Sequence, residues 1–340
     1  MLMFKMFLGA LRAAIPAIFG RPEGMPYLRY VMACGLRAMS FDSRYNNPQG
    51  TGAVEAYKVF AKQQKIEPIV VQLNGGGEGY WFGPTSAKKV VLFFPGGAYS
   101  NPASEGFFLR YKSLVAAAKS QDVDLAVFVL SYDLSPKATY PTQLKQAAGS
   151  LEYLLKNKGL TPAGIILAGD SAGGNLALAM LSHLSHPHPD VPVVDLGGQV
   201  LRGVALISPW VSFDYDTPSA KANQDIDMIS AFGCKGASKQ FLGSVDEDEY
   251  TVPLRASPDW WKNAKAEQTL ITSGSYEIFA SDIASFAEKY QVHNSRTEVY
   301  EAKYEIHDQG LIDTMLGYEL PESEKLMQRW ILESLGRVPL

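Results

Sequence analysis

The sequence predicts a doubly wound α/β fold: a mostly parallel central sheet with helices on both faces. Two observations carry this. Short, continuous apolar runs recur along the chain, and the stretches between them carry apolar residues at helical spacing. A third observation adds to it. Residues 1–60 and 214–262 break the alternation, which makes them candidates for a cap over one edge of the sheet. The expected division is therefore an N-terminal cap segment over 1–60 and a catalytic domain over 61–340, with 214–262 inserted into it as further cap.

The first element is the least regular. Met3, Phe7, Leu11, Ala14 and Ile18 share one helical stripe, and Lys5, Gly9, Arg12 and Pro16 share another. Pro16 predicts a kink. Arg12 interrupts any signal-peptide core, and no acid precedes Glu23. The segment reads as an amphipathic helix packing on its own protein, with a transit peptide or weak membrane-surface contact through residues 1–20 as alternatives.

Strands follow. Residues 68–74 and 79–83 form a pair around Asn74-Gly75-Gly76-Gly77. That run lacks the Lys-Ser/Thr and helix start of a phosphate loop, so it reads as a hairpin turn. Residues 90–94, 125–130, 164–168 and 204–207 are rich in Val, Ile, Leu and Phe, as strands buried on both faces require. Pro141 starts a helix whose stripe is Leu144, Ala147, Ala148, Leu151, Leu154 and Leu155. Residues 269–274 and 297–304 are the last strands, and 323–335 a closing helix with Leu326, Trp330, Ile331 and Leu335 inward. A ligand site belongs beyond the carboxyl ends of such strands.

Composition narrows the function. The 340 residues are 46% hydrophobic and 19% charged, enough to bury a large core. The net charge of −4, without a basic block, argues against nucleic-acid binding. Cys34 and Cys234 are too few for a disulfide framework or a cysteine metal site. No apolar run reaches the ~18 residues of a membrane span, and the expected location is cytoplasmic.

The sharpest motif is Gly169-Asp170-Ser171-Ala172-Gly173, which has the G-x-S-x-G form of a nucleophile elbow. A buried strand runs into it, and a helix with Leu176, Ala179 and Met180 runs out. The sharp turn crowds the backbone and demands small neighbours. It lifts the serine oxygen over the sheet, at a helix N-terminus that favours developing negative charge.

A serine hydroxyl needs a base. His183, His186 and His188 lie at and beyond the far end of the helix leaving the elbow, where a surface loop is expected, and His293 sits at that same far edge. His307 follows the last strand and emerges beside Ser171. Glu277, three residues past the strand 269–274, is the favoured orienting acid; Asp282, one turn further on, and Asp308, adjacent to His307, are the alternatives. The order Ser171, Glu277, His307 is that of α/β-hydrolases. Backbone donors for a tetrahedral oxygen are expected from Gly96, Gly97 and Ala172, since glycine allows close approach to a substrate.

These residues together resemble the hormone-sensitive-lipase-like branch of the α/β-hydrolases, especially fungal esterases of secondary metabolism. The resemblance runs from about Val90 to His307. It is carried by the Gly-Gly loop, Tyr132-Asp133-Leu134-Ser135-Pro136 with Tyr140-Pro141, Gly169 to Asn175, Ser208-Pro209-Trp210, Glu277 and His307. It implies carboxylic-ester hydrolysis, no cofactor and a helical cap. The family loop H-G-G-G is replaced here by Pro95-Gly96-Gly97-Ala98. Either the oxyanion hole is intact or the acyl pocket is altered.

The resulting expectation is a serine esterase for a small or medium apolar ester. An acyltransferase or cyclase with the same triad is the alternative, for example one releasing a polyketide acyl chain, and a silent binding protein is a third reading. Expected partners are a small-molecule ester or thioester, an acyl carrier protein in the transferase case, and a second copy pairing near the last strand.

Overall fold

A computed structural model describes residues 2–40 and 52–336. Its strands are β1 (Val70–Gln72), β2 (Glu78–Phe82), β3 (Lys89–Phe94), β4 (Leu125–Ser131), β5 (Ile165–Asp170), β6 (Gly203–Ile207), β7 (Thr269–Gly274) and β8 (Thr297–Ala302). They form one sheet of eight strands in the order β1-β2-β4-β3-β5-β6-β7-β8. The first hairpin joins antiparallel, and β4 through β8 run parallel. Gly75, Gly76 and Gly77 all have φ between 77° and 92°, a turn conformation that glycine adopts without strain.

The helices are α1 (Leu2–Ala14), α2 (Pro16–Phe19), α3 (Tyr27–Ser40), α4 (Ala53–Gln64), α5 (Glu105–Ser120), α6 (Thr142–Glu152), α7 (Ala172–Ser185), α8 (Pro218–Asn223), α9 (Ala231–Leu242), α10 (Ala280–Gln291), α11 (Gln309–Leu316) and α12 (Glu322–Gly336). The sheet is covered on both faces. Along β3, Val90, Leu92 and Phe94 face the core under α6, α7 and α10, while Val91 and Phe93 face the core under α4, α5 and α12. This two-sided burial is why the parallel strands read as unbroken apolar runs.

α4 straddles the expected boundary at residue 60, and its Val54, Tyr57, Phe60 and Ala61 pack into the sheet core, with Tyr57 stacked 4.7 Å from Tyr80. Its apolar face has the sheet to bury against, so it joins the body. Residues 41–51 lie outside the described residues. α3 sits over the strand ends. Arg29 holds Asp313 of α11 with two bonds of 2.7 and 2.8 Å, and Ser40 Oγ donates to Ser230 Oγ at 2.8 Å.

Candidate active site

β5 runs straight into α7, and Ser171 is the residue between them, at φ 52° and ψ −118°. A non-glycine residue holds this conformation only where its surroundings force it. Here they do. A Cβ on Gly169 would lie 2.2 Å from Gly173 O, and one on Gly173 would lie 1.8 Å from Phe94 O. The Ser171 amide donates to Ile207 O at 2.9 Å, and Trp210 N donates to Ser171 O at 3.0 Å. Asn175, one turn on, accepts from Tyr99 Oη and donates to the carbonyls of Trp210 and Thr251 at 2.7 to 2.9 Å.

His307 follows β8, and its Nδ1 lies 2.8 Å from Glu277 Oε2. Glu277 is fully buried, and its Oε1 accepts from Gly274 N at 2.6 Å and from Ser208 Oγ at 3.1 Å. This bonding assigns the proton to Nδ1 and leaves Nε2 as the lone-pair nitrogen. Burial depresses the imidazole pKa, but the hydrogen bond and charge of Glu277, with the charges of Asp227 and Asp308, outweigh it and hold the pKa above its ordinary value. Ser171 and His307 line the same cavity of about 400 Å³. Of the alternative acids, Asp282 turns instead to Ser212, and burial pushes its carboxyl up to about 6. Asp308 carries its carboxylate to Arg110.

The glycine loop differs from expectation by one residue. Gly96 N donates to Asp170 Oδ1 at 3.1 Å, inside the protein, so this amide already has its acceptor. Gly97 and Ala98 line the cavity with Ser171, and among the described residues their amides have no acceptor. Gly97 has φ 114° and Ala98 φ 54°. The alanine that replaces the third glycine therefore keeps a left-handed backbone, at a cost of about 1–2 kcal/mol. Tyr132 Oη donates to Pro95 O at 2.6 Å and Ser135 N to Tyr99 O at 2.9 Å, so the Tyr-x-x-Ser-Pro stretch braces the loop from behind. On that side lies a more polar cavity of about 460 Å³ lined by Glu78, Asp133 and Lys137, and neither Ser171 nor His307 borders it.

Two groups in the site carried no sequence signal. Asp227, between α8 and α9, is fully buried. Its Oδ1 accepts from His307 N at 3.0 Å and Met228 N at 2.7 Å, and its Oδ2 accepts from Ile278 N at 2.8 Å. It thus pins the backbone at His307 and just after Glu277. Burial pushes its carboxyl up to about 6, against the pull of His307. Arg110 of α5 is the other. Its Nη2 meets Asp308 Oδ1 at 2.5 Å and Glu324 Oε2 at 3.0 Å, and Nη1 lies 3.9 Å from Asp170 Oδ1. One cation faces three buried carboxyls, and burial together with Asp308 holds Asp170 well above the usual carboxylate range.

The histidines expected on a surface loop are instead packed. His183 and His188 are buried. His183 Nε2 lies 3.0 Å from Pro192 O, while its Nδ1 accepts from His188 N at 3.0 Å. His186 stacks on Trp260 at 4.0 Å. Backbone partners and aromatic neighbours make burial affordable for these rings. His293 stays exposed beside Asp259, 2.8 Å away.

The strand order, the elbow and the carboxylate–histidine pair agree with one further observation. The model of the alpha/beta hydrolase fold matches residues 91–310, more than half of the chain. The chain belongs to the α/β hydrolase fold family. Within it, the chain is similar to an esterase of Acinetobacter venetianus, 28% identical over 205 residues, 60% of this chain and 62% of that one. It is also similar to arylacetamide deacetylase of Bos taurus, 28% identical over 151 residues, 43% of this chain and 35% of that one. The chain spans less than two thirds of the length of these relatives. A thermostable esterase from Pseudomonas putida ECU1011 superposes with a TM-score of 0.67 at 19% identity, covering 97% of this chain and 98% of that one.

Proposed function

We propose that this α/β hydrolase is a serine-dependent carboxylic ester hydrolase that works through an acyl-enzyme on a small or medium apolar ester. The observation that carries the reading is the buried Glu277–His307 pair opening onto the same cavity as Ser171. The relatives named as esterase and deacetylase support it. Ser171 Oγ attacks the ester carbonyl carbon while His307 Nε2 takes its proton. The leaving alcohol receives that proton as the C–O bond breaks. Water then attacks the acyl-enzyme, giving its proton to His307, and the acid leaves as Ser171 regains its hydrogen. Glu277 holds the imidazole and stabilises its charged form. The amides of Gly97, Ala98 and Ala172 serve the tetrahedral oxygen, and Gly96 serves Asp170 instead.

The cavity supports an apolar substrate. Leu36 of α3, Met228 and Ala237 of the mid-chain cap segment, and Phe107, Leu311 and Met315 of the body line it. The test is pre-steady-state release of p-nitrophenol from acyl esters of increasing length, with Ser171→Ala as control. A burst followed by sustained turnover is expected. A Ser171-dependent burst that then stalls would identify water as a poor acceptor and favour acyl transfer or cyclisation. Turnover that survives Ser171→Ala would refute the assignment.

A further inference from the structure

We propose that α1 is an interfacial helix that docks the protein on an anionic lipid surface. The seat of α1 leaves one of its faces uncovered. α1 lies against α3 through small residues: a Cβ on Gly9 would sit 2.5 Å from Ala38 Cβ, and one on Gly35 would sit 3.1 Å from Met6 O. This close crossing fixes which way the rest of the helix points. Phe7, Leu11, Ile15 and Ile18, spaced four, four and three residues apart, form a single stripe and are 61%, 54%, 65% and 64% exposed. Ile15 is itself helical at φ −72° and ψ −52°, so the stripe continues past the Pro16 break into α2. Large apolar residues so exposed and so aligned mark a contact surface rather than scattered surface hydrophobics.

Charge selects the occupant. Lys5 and Arg12, seven residues apart, lie between the packed Gly9 face and the apolar stripe, while Arg21 further on is held by the carbonyls of Ala17 and Met25. The first acid in the chain is Glu23. An apolar stripe flanked on one side by cations is the pattern of a helix lying in a lipid headgroup layer, its long basic side chains reaching up to phosphate. A protein partner would need no such one-signed flank. Among the described residues no helix is long and apolar enough to cross a membrane, so docking would be peripheral.

The same helix joins docking to the cavity. α3 seats α1 through Gly35 and Ala38, and Leu36 and Ser40 of α3 line the cavity that holds Ser171. A docked α1 would hold the cavity roof within about one helix diameter, ~10 Å, of lipid. That arrangement suits an ester that resides in a membrane.

The experiment is co-sedimentation of the full chain with phosphatidylcholine vesicles, with and without phosphatidylserine, at low and high salt. Binding is expected on the phosphatidylserine vesicles, with much less on phosphatidylcholine alone and loss at high salt. Leu11→Ser should weaken partitioning about tenfold or more. It should leave hydrolysis of a soluble p-nitrophenyl ester unchanged, because Leu11 does not line the cavity. Arg12→Glu, at a solvent-facing position, tests the same surface if Leu11→Ser loosens α1. It should abolish the preference for phosphatidylserine. No sedimentation with either vesicle would overturn the proposal, as would equal binding to both or wild-type binding by both variants. A dimer that Leu11→Ser dissolves would assign the stripe to a second copy and overturn it too. The sedimentation readouts do not depend on esterase activity.

Discussion

Asp227→Asn is the substitution that tests the centre most directly, because shape is kept and one charge is removed. Asp227 accepts three backbone amides, from Met228, Ile278 and His307, at 2.7 to 3.0 Å. An asparagine offers a single oxygen, so at least the Ile278 amide must face an NH₂ group. A buried donor left without an acceptor costs about 1–3 kcal/mol. A second effect opposes this. The carboxyl is pushed from 3.8 up to about 6 by burial. A carboxyl raised in the folded state contributes stability in full below its unfolded pKa, and loses that contribution as pH rises through the folded value. Two pKa units correspond to about 3 kcal/mol over the whole range, and to about 1 kcal/mol between pH 5 and pH 7. The two effects are of similar size, so near neutrality the variant should lie within about 2 kcal/mol of wild type. Its lead or deficit should move by about 1 kcal/mol toward wild type's favour on going from pH 7 to pH 5. Urea midpoints at the two pH values measure this. Catalysis supplies an independent readout. The negative charge of Asp227 helps hold the His307 pKa up. Without it, the acidic limb of kcat/KM should shift to lower pH, while kcat falls about ten- to a hundredfold as the two pinned segments loosen. An acidic limb that stays in place, with parallel stability curves for the two proteins, would refute the view of Asp227 as a charged pin.

Other substitutions address the remaining parts of the site. Glu277→Gln should lower kcat for ester hydrolysis by about 10⁴-fold with little change in KM, whereas Asp282→Asn should leave kcat within about twofold, since of these two carboxylates it is Glu277 that bonds the His307 ring. Hydrolysis by wild type should fall as pH drops through a value above 6.5, the ordinary histidine pKa, because the base must be neutral; a pH profile measures this directly. Arg110→Met removes the cation from Asp308, Glu324 and Asp170, and should cost about 3–5 kcal/mol at neutral pH. Lowering the pH should reduce that deficit as Asp170 and Glu324, both raised by burial, take up protons; thermal melts at two pH values check it. Gly173→Ala puts a methyl carbon 1.8 Å from Phe94 O and should yield no folded protein, as circular dichroism would show.

Much of this was legible in the sequence, for reasons of geometry. Strands buried on both faces must be apolar throughout, and a strand-to-helix turn as tight as that at Ser171 leaves room for glycine alone two residues to either side of it. Chain order and strand ends then placed Glu277 and His307 at one edge. Orientation within a loop was not legible. Gly96 and Gly97 look alike as letters, and only the fold shows that the first amide turns inward to Asp170. Asp227 was hidden for a different reason: an isolated acid in a polar segment has the appearance of a solvated one until three amides are seen to converge on it. Arg110 likewise sits in a helix whose pattern gives no hint that the residue is inside. The burial of His183 and His188 depends on backbone carbonyls and amides, which side-chain letters do not record.

The Arg110 cluster also bears on the order in which the chain is made. Arg110 is synthesised long before the groups that neutralise it, since Asp308 and Glu324 come roughly two hundred residues later, at separations of 198 and 214. A nascent chain that has already formed the Ser171 turn therefore has only Asp170, 3.9 Å away, to set against that cation until Asp308 and then Glu324 of α12 have followed. Burial of that cation, and with it the firm seating of the elbow and the His307 loop, would wait for the last helix.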